Sequence, residues 1–212
     1  MSRIALLSSC FPDRLIPAAQ ALRAAGFELV CGSSSGTTLA RAGIEVLPIE
    51  FFAKERALLG GRYACASSAV LGGIGGRRDV ARELQELASQ KVRVIDVVMI
   101  ELPTAASALG LEEGDREGAA QCITRSGFIA DAAALEAAVL NAGAVVPLTS
   151  ADRAIAWIRL AGHGSIDEMA LRVLAEEAWL HLQAFRDFVA WALALPTPDD
   201  VAGRSARSPA EP

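Results

Sequence analysis

Apolar residues along this chain come in short blocks separated by stretches with helical spacing. Residues 3–8 read as one apolar run, the mark of a strand buried on both faces. Pro12 breaks that run. Leu15, Ala18, Ala19, Leu22 and Ala25 fall on one stripe, so 15–25 predicts a helix, stopped by Gly26. Residues 27–31 predict a second strand, 32–36 a loop, 37–42 a short helix ended by Gly43, and 44–49 a third strand. Alternation of this kind predicts a parallel sheet with right-handed crossovers.

Further along, 51–59 predicts a helical turn. Gly60-Gly61 and Gly72-Gly73-Ile74-Gly75-Gly76 frame a stretch with few packing residues, which predicts a long functional loop. Residues 78–90 predict a surface helix and 94–100 the central strand, inside the most apolar stretch, 92–102. Helix and turn are expected over 104–120, a helix over 130–141, a buried strand over 144–148 and a helix over 150–160. Gly162 and Gly164 make a break. Ser165-Ile166-Asp167-Glu168 has the form of a capping box. It predicts a long helix to about residue 195, with Met169, Val173, Leu180 and Phe188 as core candidates, lying on the sheet or on a partner subunit. Pro196 ends it. The fold class expected is α/β, a three-layer parallel sheet flanked by helices with a C-terminal helical extension. The expected organisation is an α/β domain over 1–162, the C-terminal helix over 163–195 and a disordered, Pro- and Ser-rich tail over 196–212. No internal repeat is visible.

Composition narrows the function classes. A chain of 212 residues allows one full domain, or one domain with an appendage. The net charge of −5 argues against nucleic acid or an anionic membrane as the main partner. A phosphate can still be held locally, because backbone N–H groups and one arginine suffice. The four cysteines, at 10, 31, 65 and 122, make no Cys-x-x-Cys pair, and the two histidines, His163 and His181, come late. A structural zinc site is therefore not expected, and the spacing suits a reducing, cytoplasmic setting. The N-terminus reads straight into a strand rather than a signal peptide, and no apolar run is long enough to span a bilayer.

In a parallel sheet, ligands bind outside the C-terminal strand ends. Three unusual segments fall there: Ser8-Ser9-Cys10, Gly32-Ser33-Ser34-Ser35-Gly36-Thr37, and Gly60-Gly61-Arg62. Small hydroxyl residues at a helix N-terminus can cradle an anion, or simply make a turn and a cap. Arg62 after two glycines can clamp an anion, or be a solvated loop arginine. No histidine precedes His163, so Ser–His and Cys–His pairs are poorly supported. His163 lies in an exposed Gly-His-Gly turn, and His181 reads as structural. Cys10, Cys31 and Cys65 are either reactive or simply small buried residues. The glycine cluster at 72–76 lacks the Lys-Ser or Lys-Thr of a phosphate loop. Glu101, at the end of the central strand, is the acidic residue best placed to reach a site.

These residues together resemble the IMP cyclohydrolase domain, the N-terminal half of the bifunctional purine enzyme, which has the methylglyoxal-synthase-like fold. The resemblance runs from about residue 3 to 195, without a gap over 3–77. Ser8-Ser9-Cys10 looks like the family's Ser-Val-Ser turn. Gly32 to Thr37 resembles its Ser-Gly-Gly-Thr loop. Gly60-Gly61-Arg62, Ala69-Val70, Gly73-Ile74 and Arg77 resemble its Gly-Gly-Arg-Val-Lys-Thr-Leu-His-Pro segment and the Gly-Ile-Leu after it. Residues 95–102 resemble the strand ending in Asn-Leu-Tyr-Pro. Within that resemblance the family's arginine is kept as Arg62. Its catalytic lysine falls at Ala64, the next threonine at Cys65 and the His-Pro at Ser67-Ser68. The Asn-Leu-Tyr-Pro falls at Glu101-Leu102-Pro103-Thr104, and the Asp-Ile-Gly-Gly turn is approached only by Thr124-Arg125-Ser126-Gly127. A later lysine falls at Glu136. The lysine of the first turn falls at Pro12, with Arg14 able to supply charge nearby.

The resemblance implies a fold kept with its chemistry changed, and it leaves three readings. One is a diverged enzyme that cyclises or dehydrates a nucleotide-like or compact anionic heterocycle, with Arg62, Cys65 and Glu101 as working residues. Ser8, Ser9, Cys10, Arg14, Gly32, Ser33, Ser34, Ser35, Gly61, Thr124, Ser126 and Gly127 would then hold the ligand. Another is a genuine stand-alone IMP cyclohydrolase, and the third a non-catalytic nucleotide- or anion-binding regulatory module. The resemblance implies no cofactor, a phosphorylated small-molecule ligand and a homodimer; composition and charge give the expectation of no metal and no nucleic acid or membrane partner.

Overall fold

The computed structural model describes residues 3–55, 59–161 and 167–194. Five strands form one parallel sheet: β1 (Arg3–Ser9), β2 (Phe27–Cys31), β3 (Leu47–Pro48), β4 (Val97–Glu101) and β5 (Val146–Leu148). Their order is β3-β2-β1-β4-β5. Helices connect them: α1 (Leu15–Ala24), α2 (Ser33–Arg41), α3 (Ile49–Ala53), α4 (Ser68–Gly75), α5 (Ala81–Ser89), α6 (Arg116–Arg125), α7 (Phe128–Leu140), α8 (Ala151–Ala161) and α9 (Glu168–Leu193). The expected three-layer α/β architecture is what the chain adopts.

The layers arise from the pleat. Successive side chains of β1 point to opposite faces. Ile4 and Leu6 join Val30, Val98 and Ile100 in a core closed by α3, α4, α7 and α9. Ala5 and Leu7 join Leu29, Cys31, Val97 and Met99 in a second core under α1, α2 and α8. Both cores are strongly apolar, which is why β1 and β4 read as uninterrupted apolar runs rather than alternating ones. Register is direct: Ala5 lies opposite Leu29 on β2 and Val97 on β4.

Several sequence expectations need correction. The third strand is two residues long, not 44–49. Ser33, Ser34 and Ser35 are not a loop but the first turn of α2, which begins directly after Gly32. The stretch 60–76 is not one long loop: α4 occupies Ser68–Gly75, capped by the Ser67 hydroxyl, which accepts the Val70 N–H. Its glycines serve close packing. A Cβ on Gly73 would sit 2.5 Å from the Arg93 carbonyl oxygen, and the Gly73 carbonyl accepts the Ile95 N–H. Gly73→Ala should therefore destabilise by about 1–3 kcal/mol through overpacking against backbone. A urea midpoint equal to that of the parent would contradict this account.

The C-terminal helix is also out of phase with the expected stripe. Met169, Val173 and Leu180 are exposed, while Ala178, Leu182, Phe185, Phe188 and Ala192 are buried, so only Phe188 of the expected core set faces inward. α9 packs against α6, α7 and β5. His181, on this helix, accepts the Leu102 N–H through Nε2 at 2.9 Å, and burial lowers its pKa. The expected capping box at 165–168, His163 and the tail lie wholly or partly outside the described residues. Among the described residues, no helix is long and apolar enough to cross a membrane.

Candidate functional site

The sheet order reverses direction between β1 and β4, and such a switch point opens a crevice at the C-terminal strand ends. Here a cleft of about 410 Å³ opens at the end of β1 and the start of α2. Ser8, Ser9 and Cys10 line it from β1, and Gly32 and Ser34 from the N-terminus of α2. Gly61, Arg62 and Cys65 line a second wall. The third wall is the joint between α6 and α7: Arg125, Ser126, Gly127, Phe128 and Asp131.

The glycine turn is shaped by backbone constraints. Gly60 and Gly61 hold φ values of +69° and +80°, a region that favours glycine. Gly127 lets the turn approach closely, because a Cβ there would lie 3.0 Å from the Arg62 carbonyl oxygen. The Arg62 guanidinium donates to the carbonyls of Leu59 (3.3 Å) and Thr124 (2.9 Å), so it ties the glycine turn to the end of α6. Its charge still borders the cleft, yet two of its donors already have partners.

Asp131 is the residue that sequence reading missed. It is 8% exposed, on the inward face of α7 with Ala134, Leu135 and Ala138. The Ser8 hydroxyl donates to its Oδ2 at 2.7 Å, and the Cys65 thiol lies beside the carboxyl, where an S–H donor favours the charged form. Burial raises the Asp131 pKa, and those two donors only partly oppose the rise. Burial, reinforced by the charge of Asp131, keeps Cys65 a thiol with a pKa well above its ordinary value. Cys10 is pushed up to about 12, chiefly by burial and then by Glu101. Neither is a ready thiolate nucleophile near neutrality. The missed signal was legible in principle: a lone carboxylate on the apolar stripe of an alanine-rich helix.

Other expected residues sit beside the cleft rather than in its walls. The Glu101 carboxylate accepts the Ser9 hydroxyl at 2.7 Å, and its carbonyl accepts the Cys10 N–H at 3.0 Å, so it braces β1 against β4. Ser35 is fully buried, with its Oγ accepting the Ser9 N–H at 3.3 Å. The Arg14 guanidinium stacks 3.9 Å above the Phe11 ring. Thr124 turns its hydroxyl to the Ala120 and Gln121 carbonyls. Nothing is described of the Ser33 side chain. Among the described residues, no group of three or more His, Cys, Asp or Glu side chains is placed to hold a metal.

Arg125 is the second residue the sequence reading left out. It is exposed at the C-terminus of α6 and lines the cleft, and its side chain makes no hydrogen bond or ion pair with a described residue. Arg125 borders the same cleft as Gly32 and Ser34 at the start of α2, and a guanidinium with free donors beside a helix N-terminus is suited to attract an anion. Arg125→Ala should weaken inorganic phosphate binding roughly tenfold, about 1.4 kcal/mol, with Arg62→Ala doing more harm to stability than to binding. Calorimetric titration of both variants checks this; equal affinity in Arg125→Ala and parent would remove Arg125 from the site.

No family model matches the chain. Among characterised proteins it is similar to bifunctional purine biosynthesis proteins PurH. It is 32% identical over 103 residues to that of Acaryochloris marina, covering 48% of this chain and 20% of the relative. It is 29% identical over 189 residues to that of a Synechococcus strain, covering 87% and 35%. It is 27% identical over 187 residues to that of Listeria welshimeri, covering 88% and 36%. Even the longer of these matches span only about a third of the relative's length. Among solved structures, the crystal structure of ForH superposes with a TM-score of 0.77 at 25% identity, covering 92% of this chain and all of that one. The described cleft thus sits on a scaffold shared with ForH, in a chain distantly similar in sequence to part of PurH.

Proposed function

We propose that this chain is a diverged, IMP cyclohydrolase-like enzyme that cyclises and dehydrates a nucleotide-like or small anionic heterocyclic substrate. The observation that carries the reading is the pairing of two features in one cleft. One is a place for an anion: the start of α2 lines the cleft together with Arg125, whose side chain has no partner among the described residues. The other is a buried carboxyl, Asp131, which accepts the Ser8 hydroxyl and lies beside the Cys65 thiol. A volume near 410 Å³ lies in the range that encloses a small organic ligand. The distant similarity to PurH supports the choice of reaction class.

Closure of such a ring joins a carboxamide nitrogen to a formyl carbon and expels water. The reaction needs a proton moved from nitrogen to the departing oxygen, and the developing oxyanion stabilised. The test monitors conversion of formylaminoimidazole carboxamide ribotide to IMP by absorbance, with IMP binding measured by calorimetry. Turnover supports the reading and brings it close to the plain family reaction. IMP binding without turnover favours a changed reaction or a regulatory module. Absence of both would defeat the purine reading.

A further inference from the structure

We propose that Asp131, Ser8 and Cys65 form a proton-transfer centre in the cleft. Asp131 is its proton reservoir and the Ser8 hydroxyl the group that meets the ligand; the assignment rests on the cyclohydrolase-like reading of the cleft. Three facts converge. Asp131 is the only carboxyl lining the cleft among the described residues, and no described lysine or histidine lines it. Its Oδ2 lies 2.7 Å from Ser8 Oγ, within range for direct proton exchange. Ser8 stands at the mouth of the switch point, where a ligand above β1 would rest.

The pair has two states. With Asp131 ionised, Ser8 and Cys65 both donate to it. With Asp131 protonated, its O–H points at Ser8 Oγ and the Ser8 hydrogen is free to turn into the cleft. Cyclisation uses both. The nitrogen lone pair forms the N–C bond as the C=O π pair moves onto oxygen. That oxygen takes the Ser8 proton while Ser8 takes the one from Asp131. The ring nitrogen then gives its surplus proton back to the carboxylate through Ser8. In the second half the carboxyl again supplies a proton by the same route, the C–O bond breaks, water leaves and a C=N bond forms. The remaining nitrogen proton restores the carboxyl. Asp131 ends as it began, so no co-reactant is required. Cys65, held as a thiol, stays a hydrogen-bond donor throughout and limits how far burial raises the carboxyl pKa. The other titratable and charged groups nearby are Cys31 and Glu50 behind Cys65, with Cys10, Arg62 and Arg125 on the cleft walls.

The experiment titrates the Asp131 side-chain carboxyl by NMR in isotope-labelled full-length protein, assigned with Asp131→Asn. Parent, Ser8→Ala, Ser8→Thr and Cys65→Ala are compared. The expected midpoint lies above the ordinary aspartate range, rises further in Ser8→Ala and Cys65→Ala, and returns toward the parent value in Ser8→Thr, which keeps a hydroxyl. In parallel, the pH profile of kcat/KM for formylaminoimidazole carboxamide ribotide should show an acid–base limb at that midpoint, lost in Asp131→Asn. An ordinary midpoint, or one indifferent to Ser8→Ala, overturns the proposal whatever the turnover. A limb that survives in Asp131→Asn overturns it too. Correct titration with neither turnover of the ribotide nor IMP binding leaves the centre standing and rejects the purine cyclohydrolase reading.

Discussion

Asp131→Asn is expected to lower turnover by about 10²–10⁴-fold while making the protein harder to unfold at neutral pH. The two effects share one cause. Asparagine keeps the shape and an acceptor for the Ser8 hydroxyl, but it has no proton to exchange. It also removes a buried charge. The Asp131 pKa is raised in the folded state, chiefly by desolvation. Above the ordinary aspartate value the unfolded chain is ionised while the native chain holds the proton more tightly. The native state therefore binds more protons in that window, and stability falls as pH rises through it, levelling off above the native pKa. The advantage of Asp131→Asn should vanish at acid pH and grow toward neutrality. Urea unfolding at about pH 4 and pH 7 measures it. A variant less stable than the parent at neutral pH would mean that the Ser8 and Cys65 hydrogen bonds outweigh desolvation.

Phe185→Ala is expected to cost about 3–5 kcal/mol, the range for a buried phenylalanine. Phe185 is 1% exposed, inside the core formed with Ala130, Ala134, Leu135, Ala138 and Leu182. Its small neighbours on α7 cannot expand to fill the space it leaves, so the cavity term is expected in full. The consequence reaches the site because α7 and its N-terminal turn also carry Gly127, Phe128 and Asp131. Loosening α9 from α7 should weaken phosphate binding as well as stability. A loss under about 1 kcal/mol at unchanged m would show that α9 collapses onto α7 without Phe185.

Local pattern was enough for the parallel sheet and for the order of its five strands along the chain, but it missed α4. Apolar runs such as 3–8 and 94–100 belong to strands covered on both faces, a condition strong enough to show in single residues. The position of Ser8, Ser9 and Cys10 at a strand end, where parallel sheets bind ligands, came from the same runs. Pattern failed where residues were small. The serines after Gly32 read as a loop, yet they form the first turn of α2, because the hydrophobic signal of that helix begins only at Leu39. The glycines of 72–76 read as open chain because a missing side chain looks the same whether it permits flexibility or close packing. Contact between Gly73 and the Arg93 backbone decides for packing.

Side-chain direction in the cleft was beyond local pattern altogether. Glu101 and Asp131 are both carboxylates near strand or helix ends; the apolar stripe around Asp131 marks it as buried, but not which side chain it meets. Glu101 meets Ser9 and braces the sheet, whereas Asp131 crosses more than a hundred positions of sequence to meet Ser8. The α/β class, the candidate strand ends and the acidic, unclustered chemistry can all be read from the order of residues. Which charges are buried, which arginine keeps its donors free and which carboxyl faces the cleft depend on the folded arrangement. Burial and hydrogen bonding are set by residues distant along the chain, and those interactions govern proton affinity.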